Sequence, residues 1–389
     1  MRIAMTGGGS GGHITPLLAV AHELKRRQPE ITLDYIGQRG DSLGDIPAQD
    51  KNFTHVYTVS AGKFRRYHGE NPLRQLLDVK TVWLNVRDIW RVFAGYWQSV
   101  ALLRKERPDV IFVKGGFVGV PVGLAAATLR IPYITHDSDA LPGLANRIIA
   151  RWARLHAVAL PKEIYSYPPQ KTETVGVPVS HQYHVFSADE QRQTREQLGL
   201  PPKGQIILIT GGGLGAQRMN VAVADCVPAI LERYPHAIIV HVAGRNLEDQ
   251  QRQWYHEHVP AADQHRVIIK GFITNMAQYS GVADIVITRA GATSMAEFGA
   301  QAKACIVVPN PLLTGGHQIK NAQVLARKKA IMLLPEDRFV DDHGALMPLL
   351  VELLDKPTQA RAMANRLHEL TPSDATERLA MVLLEQAAH

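Results

Sequence analysis

The chain has 389 residues, of which 46% are hydrophobic and 20% charged, and its formal net charge is +7. This length suits two domains of about 150 to 200 residues, and the composition is that of a folded protein rather than a disordered one. Cys226 and Cys305 are the only cysteines, which disfavours a disulfide scaffold or a zinc-thiolate site and fits a reducing cytoplasm. The sequence holds neither a run of about 18 apolar residues nor an apolar leader, so we expect no membrane span and no export.

Strand and helix patterns alternate along the first part of the chain. The apolar segment Arg2 to Thr6 leads into a glycine turn, Gly7 to Gly12, and then His13. Glycines permit a sharp turn and present backbone amides at the start of a helix. Further predicted elements are a helix at 16–27, strands at 31–36, 55–59, 109–113 and 133–135, and a helix at 121–129 after the glycine turn 115–119. This βα alternation predicts a parallel sheet with helices on both faces.

The same design of strand, glycine turn and helix recurs later, where 205–210 precedes the turn Gly211 to Ala216. Strands at 237–242, 267–269, 285–288 and 304–308 and helices at 344–354, 357–370 and 374–387 are predicted to follow. Pro161, Pro168 and Pro169 interrupt the pattern between the two halves. We therefore expect an N-terminal Rossmann-like domain at 1–165, a C-terminal one at 166–370, and a segment at 371–389 that packs back on the first domain. Ligands of such sheets bind beyond the carboxyl ends of the strands.

Positive charge and tryptophan are concentrated in one block of the first domain. Ten basic and four acidic residues lie between Lys63 and Arg107, so this block carries +6 of the net +7. Trp83, Trp90 and Trp97 are seven residues apart and fall along one stripe of a helix. Two interpretations are open: the rings belong to an ordinary core, or they form a peripheral patch for an anionic membrane surface. Nucleic acid is not expected, since no recognised motif accompanies the basic residues.

Several short motifs together carry a specific resemblance. They are GGGSGGHITP, GGFVGVP, HDSDALPGLANR, GGGLGAQ, RAGATSMAE, HQIKNA and SDATER, in this order from residue 7 to the last helix. At these positions the sequence resembles the MurG family, the UDP-N-acetylglucosamine transferases of peptidoglycan synthesis within glycosyltransferase family 28. The resemblance implies a GT-B fold, in which two doubly wound, parallel-sheet α/β domains face one another across a cleft. It also implies that the second domain holds the sugar nucleotide and that the first faces the membrane and a lipid-linked acceptor.

The implied reaction is an inverting transfer of N-acetylglucosamine to the muramyl sugar of a polyprenyl-diphosphate-linked muramyl-pentapeptide. Such a transfer needs a base for the acceptor hydroxyl and a positive field for the departing diphosphate. His13 is the candidate base, because an imidazole with a reference pKa near 6.5 can be neutral at cytoplasmic pH. Asp137 is a second candidate catalytic residue, able to assist His13 or position the acceptor. A structural role for His13, as a turn cap, is the alternative.

The resemblance also implies the binding residues, and no cofactor or metal ion. Glu297 matches the glutamate that grips the ribose hydroxyls, although Ser294 to Glu297 also reads as a helix capping box. The other implied donor-binding residues are Gly212, Gly213, Leu214, Gly215, Phe272, Ile273, Ala292, His317 and Gln318. The implied acceptor-binding residues are Ser10, Gly11, Gly12, Gly116, His136 and Asp139.

Three segments depart from the family pattern. His136 to Asp139 reads His-Asp-Ser-Asp where the family has His-Glu-Gln-Asn, and Gly213 and Leu214 stand where Ser-Gln is usual. Ser180 stands where an arginine is expected, so a diphosphate would need another cation, for which Arg218, Arg245 and Arg289 are candidates.

Three rival functions remain open at this point. They are a GT-B transferase with a different lipid acceptor, a UDP-N-acetylglucosamine 2-epimerase, and a non-catalytic binding protein that uses the basic block. For the transferase, the expected location is the cytoplasmic face of the membrane, as a peripheral protein.

Overall fold

A computed structural model describes residues 1–62, 79–212, 215–311 and 316–388. The chain forms two compact units. The first contains Met1–Ser180, Leu313–His317 and Ser373–His389, and the second contains His181–Leu312 and Gln318–Pro372. Among the described residues, no helix is long and apolar enough to cross a bilayer.

The first unit is built on a seven-stranded, fully parallel sheet of order β3-β2-β1-β4-β5-β6-β7. Its strands are β1 Arg2–Thr6, β2 Thr32–Gln38, β3 His55–Val59, β4 Val110–Val113, β5 Tyr133–Asp137, β6 Leu155–Val158 and β7 Thr172–Thr174. Its helices before Ser180 are α1 Gly11–Arg27, α2 Asp45–Gln49, α3 Val79–Glu106, α4 Gly119–Leu129 and α5 Leu144–Ile149. The strand order reverses between β1 and β4, which makes the carboxyl ends of these strands the expected ligand position.

The second unit repeats the plan with a six-stranded parallel sheet of order β10-β9-β8-β11-β12-β13. Its strands are β8 Ile206–Thr210, β9 Ile238–Val242, β10 Val267–Lys270, β11 Ile285–Thr288, β12 Ala304–Val307 and β13 Met332–Leu333. Its helices are α6 Ala188–Gln197, α7 Gln217–Arg233, α8 Glu248–His258, α9 Met276–Val282, α10 Ala292–Ala300, α11 His317–Arg327, α12 Glu336–Asp341, α13 Leu346–Asp355 and α14 Pro357–Leu370. Here the order reverses between β8 and β11.

The last helix, α15 (Ala375–Ala388), belongs to the first unit. Its Leu379 and Leu383 are fully buried and share a core with Leu17 and Leu24 of α1. Burial of each such side chain contributes about 1.5–3 kcal/mol, which is enough to hold an amphipathic helix on the sheet.

Each sheet is covered on both faces, because alternate strand residues point to opposite sides. In β1, Ile3 and Met5 join the core under α1, whereas Ala4 joins the core that includes α3 and α4. In β8, Ile207 and Ile209 pack toward α7, and Ile206 and Leu208 pack toward the opposite core.

The first unit extends beyond residue 165, where the proline-rich segment had suggested a boundary. Pro169–Lys171 forms a short 3-10 turn, and β7 then pairs with β6 at the edge of the sheet. The unit ends at Ser180 instead.

Candidate active site

The base candidate of the first unit lies directly after β1. His13 is in the first turn of α1, and its Nδ1 lies 3.0 Å from the Gly8 carbonyl oxygen and 3.0 Å from Ser10 Oγ. A carbonyl oxygen can only accept, so Nδ1 carries the proton. The lone pair is therefore on Nε2, which takes part in no hydrogen bond with the described residues. This tautomer is the one that a general base requires.

Electrostatics keep His13 neutral. Burial, together with the nearby ammonium group of Lys114, lowers the pKa of His13 to about 4, although the Gly8 carbonyl, Asp139 and Asp41 oppose the shift. At neutral pH the imidazole can therefore accept a proton without first losing one.

Lys114 is an unusual residue at this position, and the sequence reading did not single it out. It directly follows β4, is only 3% exposed, and its Nζ donates to Ser138 Oγ at 2.9 Å. Burial lowers the pKa of Lys114 to about 8, and the charges of Asp137 and Asp139 oppose this fall. The only available sequence signal was a lysine directly after an apolar strand at the reversal of strand order.

The glycine turn after β4 closes against the first glycine turn. Gly116 has φ +82°, and a Cβ there would lie 2.5 Å from the Gly8 carbonyl oxygen and 3.3 Å from His13 Nδ1. A side chain at Gly116 would therefore displace the carbonyl that fixes the His13 tautomer. Ser10 is half-buried, while Gly11 and Gly12 are exposed at the start of α1.

The amides of the first glycine turn are not all available to an anion. The Gly9 N–H donates to Asp41 Oδ2 at 2.7 Å. A carboxylate at this point disfavours a phosphate beside it.

Asp137 is anchored rather than exposed. One of its oxygens accepts from Gly143 N at 2.9 Å and Asn146 Nδ2 at 3.0 Å, and the other accepts from the Tyr167 hydroxyl at 2.8 Å. The residue is 4% exposed, and burial raises the pKa of its carboxyl group. These bonds hold Asp137 against the loop after β5, and its catalytic role stays a prediction.

His136, a predicted acceptor-binding residue, is fully buried. Its Nε2–H donates to the Gly176 carbonyl oxygen at 2.8 Å, and its ring meets Phe112 edge to face. Burial holds the pKa of His136 well below its usual value. Asp139, by contrast, is half-buried in the loop beyond β5.

In the second unit, two helices begin beside the reversal of strand order. The N-cap residues are Ala216 for α7 and Gly291 for α10, so neither helix start has a side-chain hydrogen bond at its N-cap. The first amides of a helix lack intrahelical partners and lie at the positive end of its dipole, so each start can bind an anion. Gly212 and Gly215 belong to the turn before α7, and Ala292 is the first residue of α10. Gly213 and Leu214 lie outside the described residues.

Glu297 is not a helix cap. Helix α10 begins two residues before Ser294, so the capping-box interpretation of Ser294 to Glu297 is wrong. Burial raises the pKa of Glu297 to about 8, and a hydrogen bond from the Tyr183 hydroxyl opposes the rise. Tyr183 was missed from the sequence, since nothing local links it to a glutamate so far along the chain.

The loop after β10 carries Phe272, which is 38% exposed, and the half-buried Ile273. Arg245, in the loop after β9, holds its guanidinium 4.2 Å from the centre of the Phe272 ring. His317 and Gln318 open α11, and Gln318 Oε1 accepts from the Asn310 amide at 2.9 Å. Among the described residues, no cluster of three His, Cys, Asp or Glu side chains could hold a metal ion.

Two consecutive doubly wound units, each with a glycine turn at its reversal of strand order, define the GT-B class of two-domain α/β proteins. The solved structures agree on this fold. A crystal structure of Acinetobacter baumannii MurG matches with a TM-score of 0.70 at 22% identity over 99% of both chains. A UDP-GlcNAc 2-epimerase from Neisseria meningitidis matches with a TM-score of 0.64 at 14% identity over 99% of this chain and 100% of that one.

Sequence comparisons place the chain within this class. Residues 3–158 match the glycosyltransferase family 28 N-terminal domain, and residues 206–379 match the C-terminal domain of the same family. A relative from Halalkalibacterium halodurans is 30% identical over 100% of both chains. Another, from Desulforudis audaxviator, is 32% identical over 93% of this chain and 92% of its own. Both relatives are named UDP-N-acetylglucosamine--N-acetylmuramyl-(pentapeptide) pyrophosphoryl-undecaprenol N-acetylglucosamine transferase. The chain therefore belongs to glycosyltransferase family 28.

Proposed function

We propose that the protein is a hexosyltransferase of peptidoglycan synthesis. It transfers N-acetylglucosamine from UDP-N-acetylglucosamine to the N-acetylmuramyl sugar of undecaprenyl-diphosphate-linked muramyl-pentapeptide, with inversion at the anomeric carbon. The observation that carries this proposal is the similarity to transferases of that name at 30% identity along the full length of both chains. The neutral His13 and the uncapped helix starts of the second unit supply the chemistry that such a transfer needs.

On the acceptor side, His13 Nε2 takes the proton of the attacking hydroxyl. The Gly8 carbonyl holds the opposite ring nitrogen, so the lone pair keeps a fixed direction. Ser10, Gly11, Gly12, Gly116 and Asp139 form the acceptor-binding residues of this proposal. Asp137 positions the loop that carries Asp139.

On the donor side, Glu297 accepts hydrogen bonds from the two ribose hydroxyls, and the uracil lies against Phe272 and Ile273. The amides of Gly212, Gly215 and the start of α7 meet the diphosphate, and Ala292 with the start of α10 lies beside it. Gly213 and Leu214, which lie outside the described residues, stay predicted donor-binding residues. His317 and Gln318 contact the sugar. The bond between the anomeric carbon and the phosphate oxygen breaks as the acceptor oxygen attacks, and these protein groups stabilise the departing UDP. In this proposal protein groups alone neutralise the negative charge of the departing UDP, and no cofactor takes part.

The membrane part of the proposal is supported by an apolar stripe on α3, formed by Trp83, Val86, Trp90, Phe93 and Trp97. These side chains are 48–67% exposed and follow a three-four spacing, so they share one face of the helix. The core interpretation of the tryptophans is therefore wrong. The opposite face of α3 is buried, with Val100 and Leu103 in the core of the first unit.

Basic residues border the apolar stripe. Arg87 lies over the Trp83 ring, and Arg87 and Arg91 both pair with the buried Asp88. Lys63, Arg65, Arg66 and Arg74 of the basic block lie outside the described residues. Exposed tryptophans with flanking arginines suit the headgroup layer of an anionic bilayer. We therefore assign a peripheral location on the cytoplasmic face of the membrane, where the polyprenyl acceptor is found.

The transfer is tested by UDP release with and without a polyprenyl-diphosphate muramyl-peptide acceptor. We expect UDP to form only with the acceptor and in equal amount to the disaccharide lipid. Release without acceptor, with an epimerised sugar, would instead support the 2-epimerase.

Membrane docking is tested by flotation with anionic vesicles. We expect the triple variant Trp83→Ser, Trp90→Ser, Trp97→Ser to stay folded and lose vesicle binding. Trp152→Ser is the control, since Trp152 is 51% exposed but lies outside α3. Equal loss in the control, or full binding by the triple variant, would contradict docking through the stripe.

A further inference from the structure

Three loops of the second unit meet through their backbones at the carboxyl edge of the sheet. Gly215 has φ +76°, and a Cβ there would collide with the Ala243 carbonyl oxygen and lie 3.1 Å from Gly244 Cα. The Gly244 N–H in turn donates to the Gly271 carbonyl oxygen at 2.9 Å. Gly215, just before α7, therefore touches the loop after β9, which is tied to the loop after β10. Arg245 and Phe272 are the next residues of these two loops.

Three arginines of this unit were candidates for binding a diphosphate, and two of them are committed elsewhere. Arg289 is 7% exposed and bonds Glu336 at 2.5 Å and the Val308 carbonyl oxygen at 3.1 Å. Arg218 lies 3.5 Å from the second oxygen of Glu336 and 3.7 Å from Asp337. Each of these guanidinium groups is thus balanced by at least one carboxylate.

Arg245 differs from both. It is exposed, and no carboxylate among the described residues pairs with it. The first acid after it along the chain is Glu248, at the start of α8, whose oxygens accept from Gly271 N at 2.7 Å and Arg252 at 2.7 Å. The positive charge of Arg245 is therefore not neutralised by its own loop.

The stacked position leaves Arg245 able to bind an anion. Its guanidinium carbon lies over the Phe272 ring, and its N–H groups make no hydrogen bond with another described residue. Those groups form the two-pronged donor that matches phosphate oxygens. The dipole at the start of α7 supplies only about half a positive charge, which is too little to balance the negative charge of a diphosphate.

We propose that Arg245 is the cation that binds the diphosphate of the UDP-sugar, held between the uracil position at Phe272 and Gly215 before α7. This inference rests on the proposed function, because that function names the ligand as a UDP-sugar. It assigns Arg245 to the phosphates of the ligand, whereas the uracil and the ribose are bound by other residues.

The test compares UDP with uridine, which lacks the phosphates, by calorimetric titration of the full chain. We expect Arg245→Met to weaken UDP binding about tenfold or more, as loss of a charge-assisted bidentate contact does, and to change uridine binding less than about twofold. Arg245→Lys should retain part of the UDP affinity. Arg218→Met is the matched control and should change UDP binding less than about threefold, since its charge is already shared.

Each outcome decides a separate point. Equal loss of uridine and UDP affinity in Arg245→Met, unchanged UDP affinity, or a larger loss in Arg218→Met would overturn the assignment of Arg245. Failure of the wild-type chain to bind UDP at all would overturn the proposed function together with it. Circular dichroism checks the fold of each variant, and Arg245 is exposed, so we expect no loss of structure.

Discussion

The protonation of Glu297 should control nucleoside binding. Burial raises the pKa of this carboxyl group to about 8, so in the free protein it is mainly protonated at neutral pH. If the carboxylate accepts from both ribose hydroxyls, binding needs the ionised form and must release a proton. The perturbations are a change of pH and the substitution Glu297→Gln.

The size of the effect follows from that pKa. About 1% of the carboxyl group is ionised at pH 6, about 9% at pH 7 and about half at pH 8. The Kd for uridine should therefore fall about ninefold from pH 6 to pH 7 and about fivefold more by pH 8, with release of about 0.9 proton at pH 7. Glu297→Gln should bind uridine weakly and equally at all three values.

Calorimetry in two buffers of different ionisation enthalpy measures both the Kd and the proton released. Uridine is the ligand because it has no phosphate to titrate in this range. Its 2′,3′-dideoxy analogue is the control, since it lacks both hydroxyls and should bind without this pH dependence. A flat uridine affinity from pH 6 to 8, or the same slope in Glu297→Gln, would refute the ribose role.

Three further outcomes are expected in the first unit. His13→Ala should lower turnover about 100-fold to 10,000-fold and leave UDP affinity unchanged, because only the base is lost. Lys114→Met should raise the pKa of His13 above its value of about 4, since a neighbouring positive charge is removed, and so move the acid limb of the pH–activity profile to higher pH. Gly116→Ala should destabilise the fold by about 1–3 kcal/mol in urea unfolding, because its φ of +82° and the Gly8 carbonyl oxygen at 2.5 Å both resist a Cβ.

Each of these three predictions has a result that would contradict it. Loss of UDP affinity equal to the loss of turnover in His13→Ala would remove His13 from the base role. An unmoved acid limb in Lys114→Met would show that Lys114 does not act on His13. Gly40→Ala has a similar φ of +75° with no atom near the added Cβ, so a destabilisation as large as that of Gly116→Ala would exclude the contact with Gly8.

The fold could be predicted because its signals are local. An apolar strand followed by a glycine turn marks each unit, and β1, β3 and β11 begin and end where their sequences indicate. The edge strand β7 was missed because it has three residues and follows Pro168 and Pro169, which resemble a linker. The boundary at Ser180 depends on that strand.

The site was predictable only in part, for a physical reason. Glycine turns and His13 are visible along the chain, whereas the partners that set protonation come from distant segments. Lys114 meets Ser138 and Asp137 meets Tyr167 only once β4, β5 and β7 are aligned in the sheet. The burial of His136 and the link between Tyr183 and Glu297 likewise arise from tertiary packing.

The structure of the transferred product tests the central claim most directly. UDP-N-acetylglucosamine, which is an α-linked donor, should be supplied with the polyprenyl-diphosphate muramyl-peptide, and the lipid product analysed by mass spectrometry and NMR. A lipid-linked disaccharide with a β-glycosidic bond is the result expected of inverting transfer. An α-linked disaccharide, or a free or epimerised sugar in place of any disaccharide, would contradict it.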